Sequence, residues 1–247
     1  MSGDGRTMRR KEALAARVRA PESASSIWRY VEFWKYADLL SRSALWFARA
    51  TELGDEFEGS LPAIAEESAL RPDIAEQLGR WRRNLRYACY VNCWNTSEVE
   101  SVALWVQYGM RNSVAIRSTV QRLDESLGDW DPPIKIGAVE YIDYATPEPR
   151  DPNQLETYYF RKRRSFEHER EVRGWTHYLN RGKFTLEEPP ATPVGVHVPV
   201  DLGRLVERVH VSPRASDGFL LAVENLTRQY GRSWDIKRSS LDAPAIF

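Results

Sequence analysis

Short runs of apolar and aromatic residues, bounded by polar turns, recur along the chain and predict its strands. The first run is Ile27-Trp-Arg-Tyr-Val31, and similar runs occupy residues 44–48 and 87–94. Enrichment in β-branched and aromatic residues over four to eight positions is typical of strands. Further strands are predicted at residues 113–117, 134–141, 169–176, 194–200, 207–211 and 234–238.

A second, longer period predicts the helices. Ile74, Leu78, Trp81 and Leu85 recur at steps of four, three and four, which places them on one face of a helix that begins near Pro72. Other helices are predicted at residues 36–41, 98–109, 119–127, 154–162 and 217–230, with one more before Pro72 and a short one after residue 201. Strands and helices without regular alternation favour the α+β class. We predict a single α+β domain, a mixed and largely antiparallel sheet with packed helices.

The start of the chain differs in charge from the rest. Six basic residues stand against two acidic ones before Pro21 and a serine-rich stretch. This composition predicts a basic, flexible tail over residues 1–26, followed by the folded domain over residues 27–247. Such tails are solvated in most proteins and contact nucleic acid in few.

Composition narrows the class of protein. The chain has 247 residues, 35 basic and 35 acidic, with nine Trp, eleven Tyr and eight Phe. The aromatic residues supply the apolar area that disordered chains lack. A net charge of zero argues against a surface that coats nucleic acid, because phosphate neutralisation dominates such binding. No run reaches the roughly 18 apolar residues of a membrane span, and the N-terminus lacks a signal-peptide core, so we predict a cytoplasmic protein without a membrane partner.

Common catalytic signatures are absent from the sequence. Neither of the glycine-rich phosphate-binding patterns occurs, and G-x-S-x-G and H-E-x-x-H are missing too. Cys89 and Cys93 have no histidine at zinc-ligand spacing. Any chemistry is therefore expected to depend on carboxylates.

The strongest candidate for a functional site is the run at residues 166–175, which is rich in charged residues. On a strand, Glu169, Glu171 and Arg173 would share one face, since alternate residues point to the same side. Three ionisable groups on a buried face are costly unless they pair or bind something. Both an active-site face and a solvent-facing charge ladder fit this pattern.

Two further features carry possible chemistry. Asp55 and Glu58 directly follow a predicted strand, a position from which loops often present catalytic or metal-binding groups. Trp105 and Tyr108 stand three residues apart on a predicted helix. They fit either core packing or a platform for a base or a nicotinamide ring.

These motifs resemble an uncharacterised bacterial family, domain of unknown function 2971. The family has an N-D-P-F-E motif, a W-x-x-Y motif, a K-x-x-x-W-x-x-E-x-E-x-R motif, and near its end V-x-x-P and a strand that finishes in serine. The matching positions here are Gly54-Asp55-Glu56-Phe57-Glu58, Trp105 and Tyr108, Lys162, Phe166, Glu169, Glu171 and Arg173, and Val211, Pro213 and Ser239 or Ser240. The resemblance covers residues 28–241, and the chain departs from it at Gly54, Glu56 and Phe166. Some relatives look like abortive-infection proteins, which implies a role in phage defence but no established activity.

The leading functional hypothesis is an enzyme of the ADP-ribosyltransferase type, with NAD as its cofactor. Those enzymes are similar to this chain in the order of an arginine on the first strand, a Ser-Thr element on a central strand and a late E-x-E. Arg29, Ser118 and Glu169 to Glu171 would fill these places. An arginine can hold a pyrophosphate bidentately, and a glutamate can stabilise positive charge that develops on a ribose.

Two alternatives stay open. In a Mg²⁺-dependent nuclease or phosphodiesterase, the carboxylates would gather the metal and the basic run at residues 161–164 would hold phosphates. In a non-catalytic binding or sensor module, the charged residues would form a structural network. The partner is accordingly a nucleotide-like small molecule, a protein or nucleic acid. The predicted catalytic residues are Glu171, Glu169, Asp55 and Glu58, and the predicted ligand-binding residues are Arg29, Trp105, Tyr108, Ser118, Lys162 and Arg173.

Overall fold

The computed structural model describes residues 18–60, 71–108, 112–146, 155–179, 188–189 and 191–243. Within these ranges the strands are β1 Ser26–Glu32, β2 Ala44–Arg49, β3 Cys89–Thr96, β4 Ser113–Thr119, β5 Lys135–Ala138, β6 Glu140–Ile142, β7 Arg161–Arg163, β8 Glu171–His177, β9 Gly195–Pro199, β10 Arg208–Val211 and β11 Asp235–Arg238. The α-helices are α1 Phe33–Arg42, α2 Pro72–Leu85, α3 Val102–Tyr108, α4 Val120–Ser126, α5 Leu202–Leu205 and α6 Asp217–Gln229. None of the helices described here is both long and apolar enough to cross a membrane.

Nine of the described strands form one mixed, mostly antiparallel sheet. Its order is β11-β10-β4-β1-β3-β2-β9, and β8 pairs with both β3 and β5. The β10–β11 pair is parallel, and β6 and β7 form a separate parallel pair. The predicted α+β class with a mixed, largely antiparallel sheet is therefore confirmed.

The chain divides into two compact units, each assembled from three interleaved segments. The first unit comprises Met1–Pro21, Phe47–Asn92 and Asp131–Val196, and the second comprises Glu22–Trp46, Cys93–Trp130 and His197–Phe247. Most of the predicted basic tail, residues 1–17, lies outside the described residues. Arg19, within the predicted tail, accepts a backbone hydrogen bond from Ala138.

In the first unit, β8 is buried along nearly its whole length. It pairs antiparallel with β5, and Arg173 lies opposite Gly137. Every residue of β8 except His177 is buried, so the charged side chains of Glu171 and Arg173 are inside. Charged groups in such a position require partners within the protein.

In the second unit, β4 is paired with β1 on one side and with β10 on the other. Trp28 and Tyr30 alternate along β1 and share one face of the sheet with Ala115 of β4, where Leu104 and Trp105 of α3 complete an apolar cluster. This arrangement follows from the two-residue period of a strand. At the end of β4, the Thr119 hydroxyl caps α4 by accepting from the backbone N–H of Arg122.

Several predicted elements differ in the structure. The helix predicted from residue 98 begins at Val102, and the strand predicted over residues 134–141 is two strands interrupted at Val139, whose N–H donates to the carbonyl of Glu171. The helix predicted over residues 154–162 is a 3-10 helix at Leu155–Phe160 that leads into β7. Three residues of the basic run, Arg161–Arg163, are consequently a strand, and Arg164 begins the next 3-10 helix. The helix predicted before Pro72 lies mainly in residues 61–70, outside the described ranges.

The strand predicted at residues 169–176 begins two residues later than expected. Glu169 is the last residue of a 3-10 helix, Arg164–Glu169, and Arg170 adopts a left-handed backbone with φ 41°. The predicted alternation on one strand face therefore holds for Glu171 and Arg173 and is wrong for Glu169.

Candidate functional site

A buried ion network in the first unit centres on Lys162 of β7. Its Nζ lies 2.5 Å from Glu169 Oε2, 3.3 Å from Glu58 Oε1 and 3.5 Å from Glu171 Oε1. All four side chains are at most 8% exposed. Alternation along β7 points Lys162 inward between two half-buried arginines, which is why the basic run does not form a uniformly solvated surface.

Arg173 closes the other side of the same network. Its Nη2 contacts Glu58 Oε2 at 2.5 Å and also contacts the Glu171 carboxylate, to which Nε donates at 2.6 Å. Its Nη1 donates to the carbonyl of Tyr159 at 2.9 Å. Lys162 and Arg173, predicted as ligand-binding residues, thus direct their donors at the predicted catalytic carboxylates.

The network contains three carboxylates and two cations among the described residues, so one negative charge lacks a cation of its own. Burial raises the pKa of Glu171, and the neighbouring Glu58 and Glu169 carboxylates raise it further, against the opposing effects of Arg173 and Lys162. For Lys162, burial lowers the pKa, but the Glu171 and Glu58 carboxylates outweigh it and leave the pKa well above its usual value. Lys162 is therefore a cation near neutral pH, and Glu171 takes up a proton more readily than an exposed glutamate does.

Asp55 belongs to a separate, charge-balanced pair at the edge of this network. Its carboxylate accepts from Arg163 Nε at 3.1 Å and lies 2.9 Å from Arg163 Nη2. The backbone N–H of Phe57 also donates to it at 3.1 Å. The guanidinium carbon of Arg163 lies 4.6 Å from the ring centroid of Phe57 and 5.5 Å from that of Phe166. Asp55 is buried, whereas the Arg163 side chain is 41% exposed.

Two tyrosines border the acidic cluster. The Tyr141 hydroxyl accepts from the backbone N–H of Glu171 at 2.8 Å. Tyr144 packs edge to face on Phe57 at 5.2 Å, and its buried hydroxyl has no hydrogen-bond partner within the described part of the chain. Burial, followed by the Glu58 carboxylate, raises the pKa of Tyr144 to about 12, so this hydroxyl remains a hydrogen-bond donor.

The carboxylates do not form a metal site in the described part of the chain. No group of three or more His, Cys, Asp or Glu side chains there is arranged to hold a metal ion. The physical reason is that the Lys162 ammonium already stands between Glu58, Glu169 and Glu171. Within the described residues the structure therefore gives no support to the Mg²⁺ ligation that the sequence left open as an alternative.

Arg29, which the sequence analysis predicts to bind a pyrophosphate, lies in the second unit. Its guanidinium donates hydrogen bonds to backbone carbonyls of the protein itself. Nη1 donates to the carbonyl of Cys93 at 3.3 Å and Nη2 to the carbonyl of Trp46 at 3.4 Å. The guanidinium also lies 5.8 Å from the ring centroid of Trp94. Burial lowers the pKa of Arg29 to about 10. A bidentate clamp would have to break both backbone contacts.

The other three predicted ligand-binding residues also belong to the second unit. Ser118 is fully buried and its hydroxyl donates to the carbonyl of Leu205 at 2.5 Å. Trp105 is 3% exposed and packs edge to face on Tyr30, whereas Tyr108 is 45% exposed. Trp105 and Tyr108 therefore do not present a paired platform, because one ring is in the core and the other is at the surface.

The second unit contains a polar cluster that sequence reasoning missed. Glu100 is buried and accepts hydrogen bonds from Ser239 Oγ at 2.6 Å, the Ser240 N–H at 2.8 Å, Ser240 Oγ at 2.9 Å and Trp105 Nε1 at 3.0 Å, and it lies 3.0 Å from His210 Nδ1. Burial alone would raise the pKa of Glu100, but the hydrogen bonds led by His210 lower it to about 2. The one sequence signal was indirect, since Trp105 and Ser239 belong to separate motifs that meet at this carboxylate.

The tautomer of His210 follows from the state of Glu100. An ionised carboxylate can only accept, so Nδ1 of His210 carries the proton. Its Nε2 is buried and has no hydrogen-bond partner among the residues described. The imidazole packs edge to face on Trp28 at 5.1 Å.

Comparison with known proteins finds only distant structural similarity. No family model matches the chain, and no curated protein matches it. Among solved structures, DarT from Thermus sp. 2.9 in complex with NAD⁺ has a TM-score of 0.42 and 9% identity over 91% of this chain and 100% of that one. The same protein in complex with ADP-ribosylated ssDNA has a TM-score of 0.43 and 8% identity over 92% of this chain and 100% of that one. At this level, neither fold identity nor activity transfers to this chain.

Proposed function

We propose that this chain is an enzyme of the ADP-ribosyltransferase type that uses NAD, with Glu171 as its principal catalytic residue. The observation that carries the proposal is the carboxylate excess around Lys162 and Arg173. NAD⁺ would supply the ADP-ribosyl group, and its pyridinium ring would leave as neutral nicotinamide, so that positive charge develops on the ribose. A buried carboxylate in a cluster that holds one more carboxylate than cations is suited to stabilise positive charge, since the surrounding low dielectric strengthens the interaction.

The other residues of the network would position Glu171. Arg173 holds its Oε2 and Tyr141 accepts from its backbone N–H, which together fix the carboxylate at the start of β8. Lys162 holds Glu58 and Glu169 close by, so that these two carboxylates keep the local potential negative. Phage defence is the biological role we propose for this activity, and its support is the resemblance to abortive-infection relatives.

Incubation of the purified full chain with NAD⁺ tests the proposal. Nicotinamide release and transfer of labelled ADP-ribose should both be measurable, and Glu171→Gln should abolish both. Because Glu171 contacts both Arg173 and Lys162, this variant should also lose stability, so its activity is compared with the wild type only after circular dichroism shows that it is folded at the assay temperature. Glu140→Gln is the matched control, since Glu140 is an exposed glutamate paired with Arg161. Absence of both NAD⁺ turnover and NAD⁺ binding by calorimetry would refute the proposal.

A non-catalytic binding or sensor module is the second candidate. The observation in its favour is that each carboxylate of the network already contacts Lys162 or Arg173, so that the cluster can serve as a structural core. In that case Glu171→Gln would alter stability without any enzymatic effect, and the wild-type chain would bind its partner without turnover. Turnover of NAD⁺ that depends on Glu171 excludes this candidate.

A further inference from the structure

Arg163 occupies a small site in the first unit that is built to hold a planar cation. Asp55 provides a buried carboxylate that contacts two nitrogens of the guanidinium. Phe57 and Phe166 provide two aromatic rings within 5.5 Å of the guanidinium carbon. A carboxylate together with aromatic faces is the chemistry that attracts flat, weakly hydrated cations.

The Arg163 side chain is far more exposed than the carboxylate with which it pairs. The side chain of Arg163 is 41% exposed and that of Asp55 is 1% exposed. Phe57 is 42% exposed although it is a large apolar residue. Rotation of Arg163 toward solvent would therefore uncover both a buried carboxylate and part of an aromatic face.

The surroundings of the site contain charges of both signs, since the Lys162 ammonium lies 4.6 Å from the ring centroid of Phe166 and is itself surrounded by carboxylates. The network next to it contains one carboxylate more than cations, as described above for Glu58, Glu169 and Glu171. Tyr144, which packs on Phe57, adds a buried hydroxyl that has no partner in the described part of the chain and can donate to a ligand carbonyl.

We propose that Asp55, Phe57 and Phe166 form a binding site for a planar aromatic cation, and that Arg163 closes this site by occupying it. The choice of a nicotinamide ring as the ligand rests on the proposed function. Binding would exchange one flat cation for another at the Asp55 carboxylate, so the buried charge stays compensated throughout. Arg163 would thus compete with the ligand for the same site, and we call it the plug of this site.

Two related ligands and two arginine variants test the inference. N1-methylnicotinamide is a planar cation, and nicotinamide is its neutral counterpart with the same ring and amide. Arg163→Ala removes the plug, whereas Arg164→Ala removes the charge of the adjacent exposed residue. We expect Arg163→Ala to bind N1-methylnicotinamide about tenfold more tightly than the wild-type chain by calorimetry, with no such gain for nicotinamide and none in Arg164→Ala.

A second pair of measurements keeps the inference testable if Arg163→Ala is poorly folded. Arg163→Gln leaves a hydrogen-bond donor near Asp55 and should show the same preference for the cation. Adding Phe57→Leu to either variant should remove the gain, because it removes an aromatic face. Equal affinity of the variants and the wild-type chain for N1-methylnicotinamide would overturn the inference, as would an equal gain for nicotinamide.

The two proposals fail in different ways. If NAD⁺ turnover depends on Glu171 but the Arg163 variants gain no affinity for the cation, the cation site is refuted and the proposed enzymatic activity is retained. If the Arg163 variants gain affinity for the cation alone but the chain neither binds nor turns over NAD⁺, the cation site is retained and the proposed activity is refuted.

Discussion

Lys162 donates to the carboxylate of Glu169 at 2.5 Å, and neither side chain is more than 5% exposed. The two residues are seven positions apart, on β7 and at the end of a 3-10 helix, and the intervening turn folds back so that they meet. Since Lys162 also contacts Glu58 and Glu171, its ammonium compensates charge that would otherwise be isolated in the interior.

Replacement of this cation should be severely destabilising. Lys162→Met keeps the length of the side chain but leaves the three carboxylates with Arg173 alone, and we expect a loss of about 3–5 kcal/mol in the free energy of unfolding. Urea denaturation measures this value. Lys35→Met is the control, because Lys35 pairs with Glu32 at the surface, where such pairs contribute about 1 kcal/mol or less. Similar losses in both variants would contradict the role of Lys162.

A side chain at Gly59 should also be poorly tolerated. Gly59 has φ +74°, and an added Cβ would lie 2.6 Å from Tyr159 Cε1. Gly59→Ala is expected to cost about 1–3 kcal/mol, from the left-handed backbone and the collision with a fully buried ring. Gly54→Ala, in the same turn, meets nothing within 4 Å and should change stability by no more than about 0.5 kcal/mol. Thermal and urea unfolding of the two variants should separate them.

Stability should fall in acid because of Glu100. The ordinary pKa of this carboxylate is 4.5, and the folded protein lowers it to about 2. A lowered folded pKa means that the stabilisation is complete above pH 4.5 and disappears as the pH falls from 4.5 toward 2, with a magnitude on the order of 3 kcal/mol. When the free energy of unfolding is measured as a function of pH, Glu100→Gln should reduce its dependence on pH over that interval. The same substitution at the exposed Glu125 should leave the pH dependence as it is in the wild type. An unchanged slope in Glu100→Gln would show that other groups dominate the acid response.

Cys89 should be inert in the folded protein. Burial raises the pKa of its thiol to about 12, so almost no thiolate forms near neutral pH. Iodoacetamide at pH 8 should leave Cys89 unmodified in the native chain and alkylate it in urea, as measured by peptide mass spectrometry. Native alkylation at a rate close to that in urea would contradict the buried placement.

The strands were the part of the fold most accessible to sequence reasoning. β1 and β4 follow from apolar runs that are buried along nearly their whole length, so local pattern and tertiary environment agree. The helix predicted at residues 154–162 and the strand start predicted at Glu169 are wrong because the 3-10 turns and the short strand in this segment have no period of their own. Their conformation is imposed by contacts with distant residues, which a single sequence does not display.

The candidate site divides in the same way. Glu171 and Arg173 share a face because they are two residues apart on a strand, a relationship that the sequence contains. The central place of Lys162 depends on Glu58, more than a hundred residues earlier, and could not be deduced from local spacing. Glu100 and His210 were missed for the same reason, since their contact joins residues 110 positions apart.

The interleaving of the two compact units constrains how this protein can be divided. Each unit draws on three separate stretches of the chain, and the stretches alternate along most of its length. No single truncation point yields either unit whole, and any internal deletion long enough to remove one would also require new joins in the other. Contacts of such long sequence separation slow folding, because loop closure must precede them. A gene fragment that encodes half of this protein should consequently give an insoluble product. For the same reason, recombination within the gene should rarely yield a folded protein, and the coding sequence should be inherited whole.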